Sequence, residues 1–178
     1  LVFINTNHFQ NGSAFQPHGS GSDVYPQAGV TAHSPIFIAG LSMGGFGALR
    51  LASKFPDRFA GASAHSAITE FAQMRNFVEE PLDAYAAPAD DRSVLATLLR
   101  NQSRLLPLRF ACGTEDPLLA ANRTFHSALA AAAVPHQYQK FPGVHAWDYW
   151  QTHVADTLKF FAAALARTTR LPLPDTSG

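Results

Sequence analysis

The residues Gly40-Leu41-Ser42-Met43-Gly44 fit the pattern Gly-x-Ser-x-Gly. A serine hydroxyl attacks carbonyl carbon only when a base within hydrogen-bond reach takes its proton. The pentapeptide alone is a modest signal, but its flanks fit the chemistry. An apolar run, Pro35-Ile36-Phe37-Ile38-Ala39, leads into it, and a helix-forming stretch to about Lys54 follows. A nucleophile on such a strand-to-helix turn sits in strained backbone with its hydroxyl exposed at the strand's C-terminal edge. Gly40 and Gly44 leave room where side chains would crowd Ser42. The start of the helix aims free N–H groups at the site, and that of Met43 is the expected donor to an oxyanion. The rival reading is a glycine-rich helix start used only for close packing.

The base and its partner are sought further along the chain. In strand-to-helix nucleophile sites the acid and then the histidine follow the serine in sequence. Glu115 and Asp116 lie in a loop after the strand expected at 108–112, and His145 lies in a loop after the strand expected at 137–141. Asp116 sits deeper in its loop, just before Pro117, yet it reads equally well as the cap of a helix starting near Leu118. His8, His18 and His33 precede the serine, His126 and His136 lie on or just after a helix, and His153 falls in the last helix. His65 follows the third strand and is a candidate to line the substrate pocket. Phe71, Met74 and Phe77 are candidate apolar walls, each more readily read as plain core. Trp147 and Trp150 are expected to pack the last helix on the sheet and hold the His145 loop. Cys112 reads as a small buried hydrophobe.

These loops need a scaffold. Strands are expected at 1–5, 35–41, 59–64, 108–112 and 137–141, the first two as buried apolar runs. Helices are expected to about Lys54 with Phe46, Leu49 and Phe55 facing the core, over 68–78, 92–100 and 118–133, and over 147–167 with a stripe of Val154, Leu158, Phe161 and Leu165. Strands alternating with helices predict an α/β fold, a mostly parallel sheet with helices on both faces. Residues 6–31 read as loop, and the acidic stretch with Glu79, Glu80, Asp83, Asp90 and Asp91 reads as solvated surface. One domain is expected over 1–170, with a frayed tail at 171–178.

Composition narrows the function. The chain has 178 residues, with 13 Lys+Arg balancing 13 Asp+Glu. With no basic block, nucleic acid is not an expected partner. No apolar run approaches the roughly 18 residues of a membrane span, so no membrane partner is expected either. The single cysteine excludes an internal disulfide, and the eight histidines show no metal-ligand spacing, so no metal or other cofactor is expected. The chain starts Leu1-Val2-Phe3-Ile4 without a signal peptide, which suggests a cytoplasmic protein with export left open.

Three stretches together resemble one family. Gly-Leu-Ser-Met-Gly-Gly-Phe-Gly-Ala-Leu (40–49), Cys-Gly-Thr-Glu-Asp-Pro-Leu (112–118) and Gly-Val-His-Ala-Trp-Asp-Tyr-Trp (143–150) look like the esterase D-type α/β-hydrolases, most of all the bacterial tributyrin and acetyl esterases. The resemblance covers about 35–165. It implies an α/β-hydrolase core and a serine esterase acting on short acyl esters through an acyl-serine. Ser42 would be the nucleophile, Asp116 the acid and His145 the base, which decides between Asp116 and Glu115. Thioester hydrolysis or acyl transfer, known in other branches, is an alternative.

The resemblance also implies an N-terminal block whose His-Gly-type loop supplies a second oxyanion donor. Leu1–Asn7 resembles the strand after that block. Two arrangements follow as expectations. Either the chain is a piece lacking its N-terminal part, or residues 1–5 pair directly with 36–41 in a reduced sheet. A weakly active or inactive fragment serving as a binding module is the corresponding functional alternative.

Overall fold

The computed structural model describes residues 2–4, 34–79, 81–82 and 91–168. The expected loop at 6–31, the tail at 171–178 and residues Glu80, Asp83, Asp90, His8, His18 and His33 lie outside them. Five strands, β1 (Val2–Ile4), β2 (Phe37–Leu41), β3 (Gly61–His65), β4 (Leu108–Gly113) and β5 (Gln137–Phe141), form one parallel sheet in the order 1-2-3-4-5. β1 pairs directly with β2, Val2 opposite Ile38 and Ile4 opposite Gly40. The helices are α1 (Met43–Lys54), α2 (Val94–Arg100), α3 (Leu119–Ala131) and α4 (Trp147–Thr168).

A sheet that advances one strand at a time keeps crossovers of one hand on one face. Accordingly α1, α2 and α3 share a face, where Ile38, Leu49, Leu98, Phe110, Phe125 and Leu129 form one buried cluster. Burying each of these side chains stabilises the fold by about 1.5–3 kcal/mol relative to exposure. The period-two alternation of a strand sends its odd neighbours the other way. Phe37 and Ala39 of β2 meet Phe160, Phe161 and Ala164 of α4, and the Phe37 and Phe161 rings stack at 4.7 Å. Ala62 and Ala64 of β3 face the large cluster, while Ser63 and His65 face α4.

Several expectations change in three dimensions. Phe46 and Leu49 are buried as expected, but Phe55 is exposed, because it falls at the C-cap of α1 beyond the sheet. The stripe on α4 is rotated: Thr157, Phe160, Phe161 and Ala164 face the sheet, whereas Leu158 and Leu165 face solvent. The helix expected over 68–78 is a shorter 3₁₀ segment, Phe71–Asn76, closed by a capping box between Glu70 and Gln73. Asp91 is not solvated. It is buried, and both Arg50 Nη1 (2.9 Å) and Lys54 Nζ (2.6 Å) of α1 reach its Oδ2. No helix among the described residues is long and apolar enough to cross a membrane.

Candidate active site

Ser42 ends β2 and caps α1 with φ 53° and ψ −117°, in a left-handed region that costs a non-glycine residue about 1–3 kcal/mol. The turn is held from both sides. The Ser42 N–H donates to the His65 carbonyl at 2.9 Å, and the Ser42 carbonyl accepts from Phe46 at 3.1 Å and Ile68 at 3.2 Å. Gly40 is expected to clear space for Ser42 itself. The structure shows a different neighbour: a Cβ on Gly40 would lie 2.1 Å from the Gly44 carbonyl oxygen. Gly40 is therefore required by the first turn of α1 folding back over the strand. Met43 opens that helix, and the first N–H groups of a helix have no partner within it.

Asp116 and His145 come from loops after β4 and β5 that are pressed together. A Cβ on Gly113 would sit 2.2 Å from the Gly143 carbonyl oxygen, so only glycine permits the approach. The Thr114 N–H donates to the Phe141 carbonyl (2.8 Å) and the Glu115 N–H to the Gly143 carbonyl (3.0 Å). Gly143 itself has φ 140°, and a Cβ there would meet the Tyr149 ring at 2.6 Å. These contacts fix the His145 loop against the Asp116 loop.

The three side chains meet in a line. His145 Nε2 lies 3.0 Å from Ser42 Oγ, and His145 Nδ1 lies 2.9 Å from Asp116 Oδ2. An ionised carboxylate can only accept, so Nδ1 carries the proton and Nε2 presents its lone pair to the Ser42 hydroxyl. Asp116 Oδ1 meanwhile accepts from the Leu118 N–H at 2.8 Å. The two readings of Asp116 hold together: one oxygen caps the turn before α3, the other holds the histidine. Asp116 is buried, and burial pushes its pKa up. The hydrogen bond to His145, the nearby Ser66 hydroxyl and the Leu118 N–H outweigh that and hold it below the usual carboxylate value. Glu115 is exposed and takes a hydrogen bond from its neighbour Thr114.

Two aromatic rings bracket the imidazole. Phe77 lies at 5.2 Å between centroids and Trp150 meets it edge-on at 5.1 Å. Of the candidate walls, Phe77 thus touches the site, Met74 is buried in the main cluster, and the Phe71 ring lies under the Arg92 guanidinium. Trp150 holds the His145 ring as anticipated, whereas Trp147 is 56% exposed. Cys112 is buried, which raises its thiol pKa to about 12.

His65 does not line an open pocket. It is 2% exposed, and its Nε2 lies 2.7 Å from Thr157 Oγ1 beneath α4. Burial and the positive charge of Arg109 lower its pKa to about 3. The sequence concealed Ser66, whose φ of 46° turns the chain beside Asp116, and buried Arg109, since neither belongs to a recognisable motif.

A parallel sheet with a serine-bearing strand-to-helix turn, faced by loops from the next strands, defines an α/β-hydrolase core. The chain belongs to the Esterase family, whose model, described as "Putative esterase", matches residues 25–161. It is 28% identical over 143 residues to an acetyl esterase of Caldicellulosiruptor saccharolyticus, covering 71% of this chain and 54% of that protein. Among solved structures it resembles an S-formylglutathione hydrolase of Staphylococcus aureus (TM-score 0.64, 25% identity, 70% of this chain and 53% of that one). A fluorophosphonate-binding serine hydrolase of the same organism is similar (TM-score 0.62, 28% identity, 70% and 52%). The chain spans about half the length of these relatives.

Proposed function

We propose that the protein hydrolyses esters of short carboxylic acids through a covalent acyl-serine, with Ser42 as nucleophile, His145 as base and Asp116 as the acid behind it. The observation that carries the reading is the unbroken line from Ser42 Oγ through both ring nitrogens of His145 to the Asp116 carboxylate. The acetyl esterase relative supports a short acyl group.

Ser42 Oγ attacks the ester carbonyl while His145 Nε2 takes its proton. The resulting imidazolium is stabilised by Asp116, whose lowered pKa keeps it ionised. The carbonyl oxygen becomes an oxyanion facing the Met43 N–H at the start of α1. Collapse of the intermediate breaks the bond to the alcohol, which leaves with the proton from His145. Water, deprotonated by the same histidine, then releases the acid and restores Ser42.

The test is turnover of p-nitrophenyl acetate by the wild type and by Ser42→Ala. The variant is expected to lose nearly all activity, about 10⁵–10⁶-fold in kcat. Wild-type activity in the variant would contradict the proposal.

A further inference from the structure

Trp147 and Val144 flank His145 in the chain, and both project into solvent, at 56% and 50% exposure. An isolated exposed apolar residue is ordinary, but a large apolar pair beside a reacting group is not. Packing of the last helix does not account for Trp147. That task falls to its neighbours: Tyr149 is buried, and Trp150 lies edge-on to the His145 ring. Trp147 instead stands perpendicular to Trp150 at 5.2 Å, so its indole is fixed against the ring that packs on His145 while much of it remains open.

The proton path says which part of a substrate reaches the His145 side. The proton taken from Ser42 passes from His145 Nε2 to the alcohol oxygen as its bond to the acyl carbon breaks and the bonding pair stays on oxygen. That oxygen must come within about 3 Å of Nε2. The group it carries therefore leaves over the His145 side of the serine, and Val144 and Trp147 are the large exposed apolar residues nearest to His145 in the chain. A hydrophobic indole face there stabilises a flat apolar group more than a small polar one.

Building on the proposed roles of Ser42, Asp116 and His145, we infer that Trp147, with Val144 beside it, is the surface that receives the alcohol portion of the ester. It selects esters of flat apolar alcohols, phenols above all, over esters of small alcohols.

The experiment compares kcat/KM of the wild type, Trp147→Ala and Trp147→Phe on phenyl acetate and methyl acetate. Both esters share one acyl group, and dividing wild type by variant cancels their intrinsic reactivity. The loss in Trp147→Ala is expected to be about fivefold greater for phenyl acetate than for methyl acetate, with most of the difference restored in Trp147→Phe. Phenyl hexanoate should show the same ratio as phenyl acetate. Equal losses on both acetates, or no loss on phenyl acetate, would overturn the inference. So would a ratio that grows with acyl length, which would put the indole on the acyl side. Ser42→Ala is run alongside. If it abolishes phenyl acetate turnover while the Trp147 ratios stay flat, the inference alone fails. If it does not, the esterase reading fails and the inference with it.

Discussion

Two histidines stand on neighbouring parts of the same sheet edge, and each is bonded to a hydroxyl. His145 has Ser42 Oγ at 3.0 Å, and His65 has Thr157 Oγ1 at 2.7 Å. What lies behind each ring separates them. Behind His145 is the Asp116 carboxylate, which accepts from Nδ1 and welcomes a positive ring. Beside His65 is the Arg109 guanidinium, 3.4 Å from Nε2, which opposes one. A guanidinium only donates, so the Nε2 of His65 is an acceptor, and Thr157 donates to it. Ser63 Oγ, 2.7 Å from Thr157 Oγ1 and 3.3 Å from Arg109 Nη1, completes this second cluster. It bolts α4 to β3 and β4 with every group sealed from solvent. A serine, a histidine and a hydrogen bond are thus common to both clusters. A carboxylate hydrogen-bonded to the ring and an opening to solvent are found in one.

The largest effect should come from breaking the carboxylate side of this contrast. Asp116→Asn keeps an acceptor for the Leu118 N–H, so the turn before α3 survives. Its amide N–H₂ then faces His145 Nδ1 and favours the tautomer with the proton on Nε2, where it opposes the Ser42 hydroxyl. Ester turnover is expected to fall about 10⁴-fold with little change in melting temperature, measured by steady-state kinetics and thermal denaturation. A variant that retains activity would remove the distinction between the two histidines.

A smaller effect is expected from His65, and it falls on stability. Its folded pKa, about 3, lies below the 6.5 of the unfolded chain. As pH drops below 6.5 the unfolded state gains a proton that the folded state refuses. The stability present above pH 6.5 is therefore lost progressively down to about pH 3, at close to 1.4 kcal/mol per pH unit. His65→Gln should flatten the pH dependence of urea-unfolding stability in that window. Its kcat/KM should stay within an order of magnitude of wild type. A collapse of activity with an unchanged acid limb would show that the cluster roles have been assigned the wrong way round.

The catalytic candidates were legible because loop chemistry follows chain order. Ser42, Asp116 and His145 each sit just past a strand; β2 reads as a short apolar run, whereas β5, Gln-Tyr-Gln-Lys-Phe, is legible only from its place between the Ala-rich helix and the Gly143 loop. Whether Asp116 caps a turn or holds a histidine could not be separated in sequence, because a carboxylate has two oxygens and this one does both. The rotation of α4 was hidden for a related reason. The helix carries apolar residues on more than one face, and the face that wins is anchored by a threonine. Thr157 is buried only because Ser63, His65 and Arg109 wait for it across the sheet. Asp91 reads as solvated in sequence because its two cations lie some 40 positions earlier on α1, 41 for Arg50 and 37 for Lys54. The contact between Gly113 and Gly143 likewise exists only once β4 and β5 are paired.

The central claim is that the Asp116-backed histidine makes Ser42 the nucleophile. Its most direct measurement is the site and rate of reaction with a fluorophosphonate, read by mass spectrometry of peptides from the intact chain. The account requires one adduct per chain, on Ser42, forming rapidly in the wild type and far more slowly in His145→Ala. Ser63, equally a serine near a histidine but sealed beneath α4, should remain unlabelled. An unlabelled Ser42, or labelling that proceeds equally fast without His145, would contradict it.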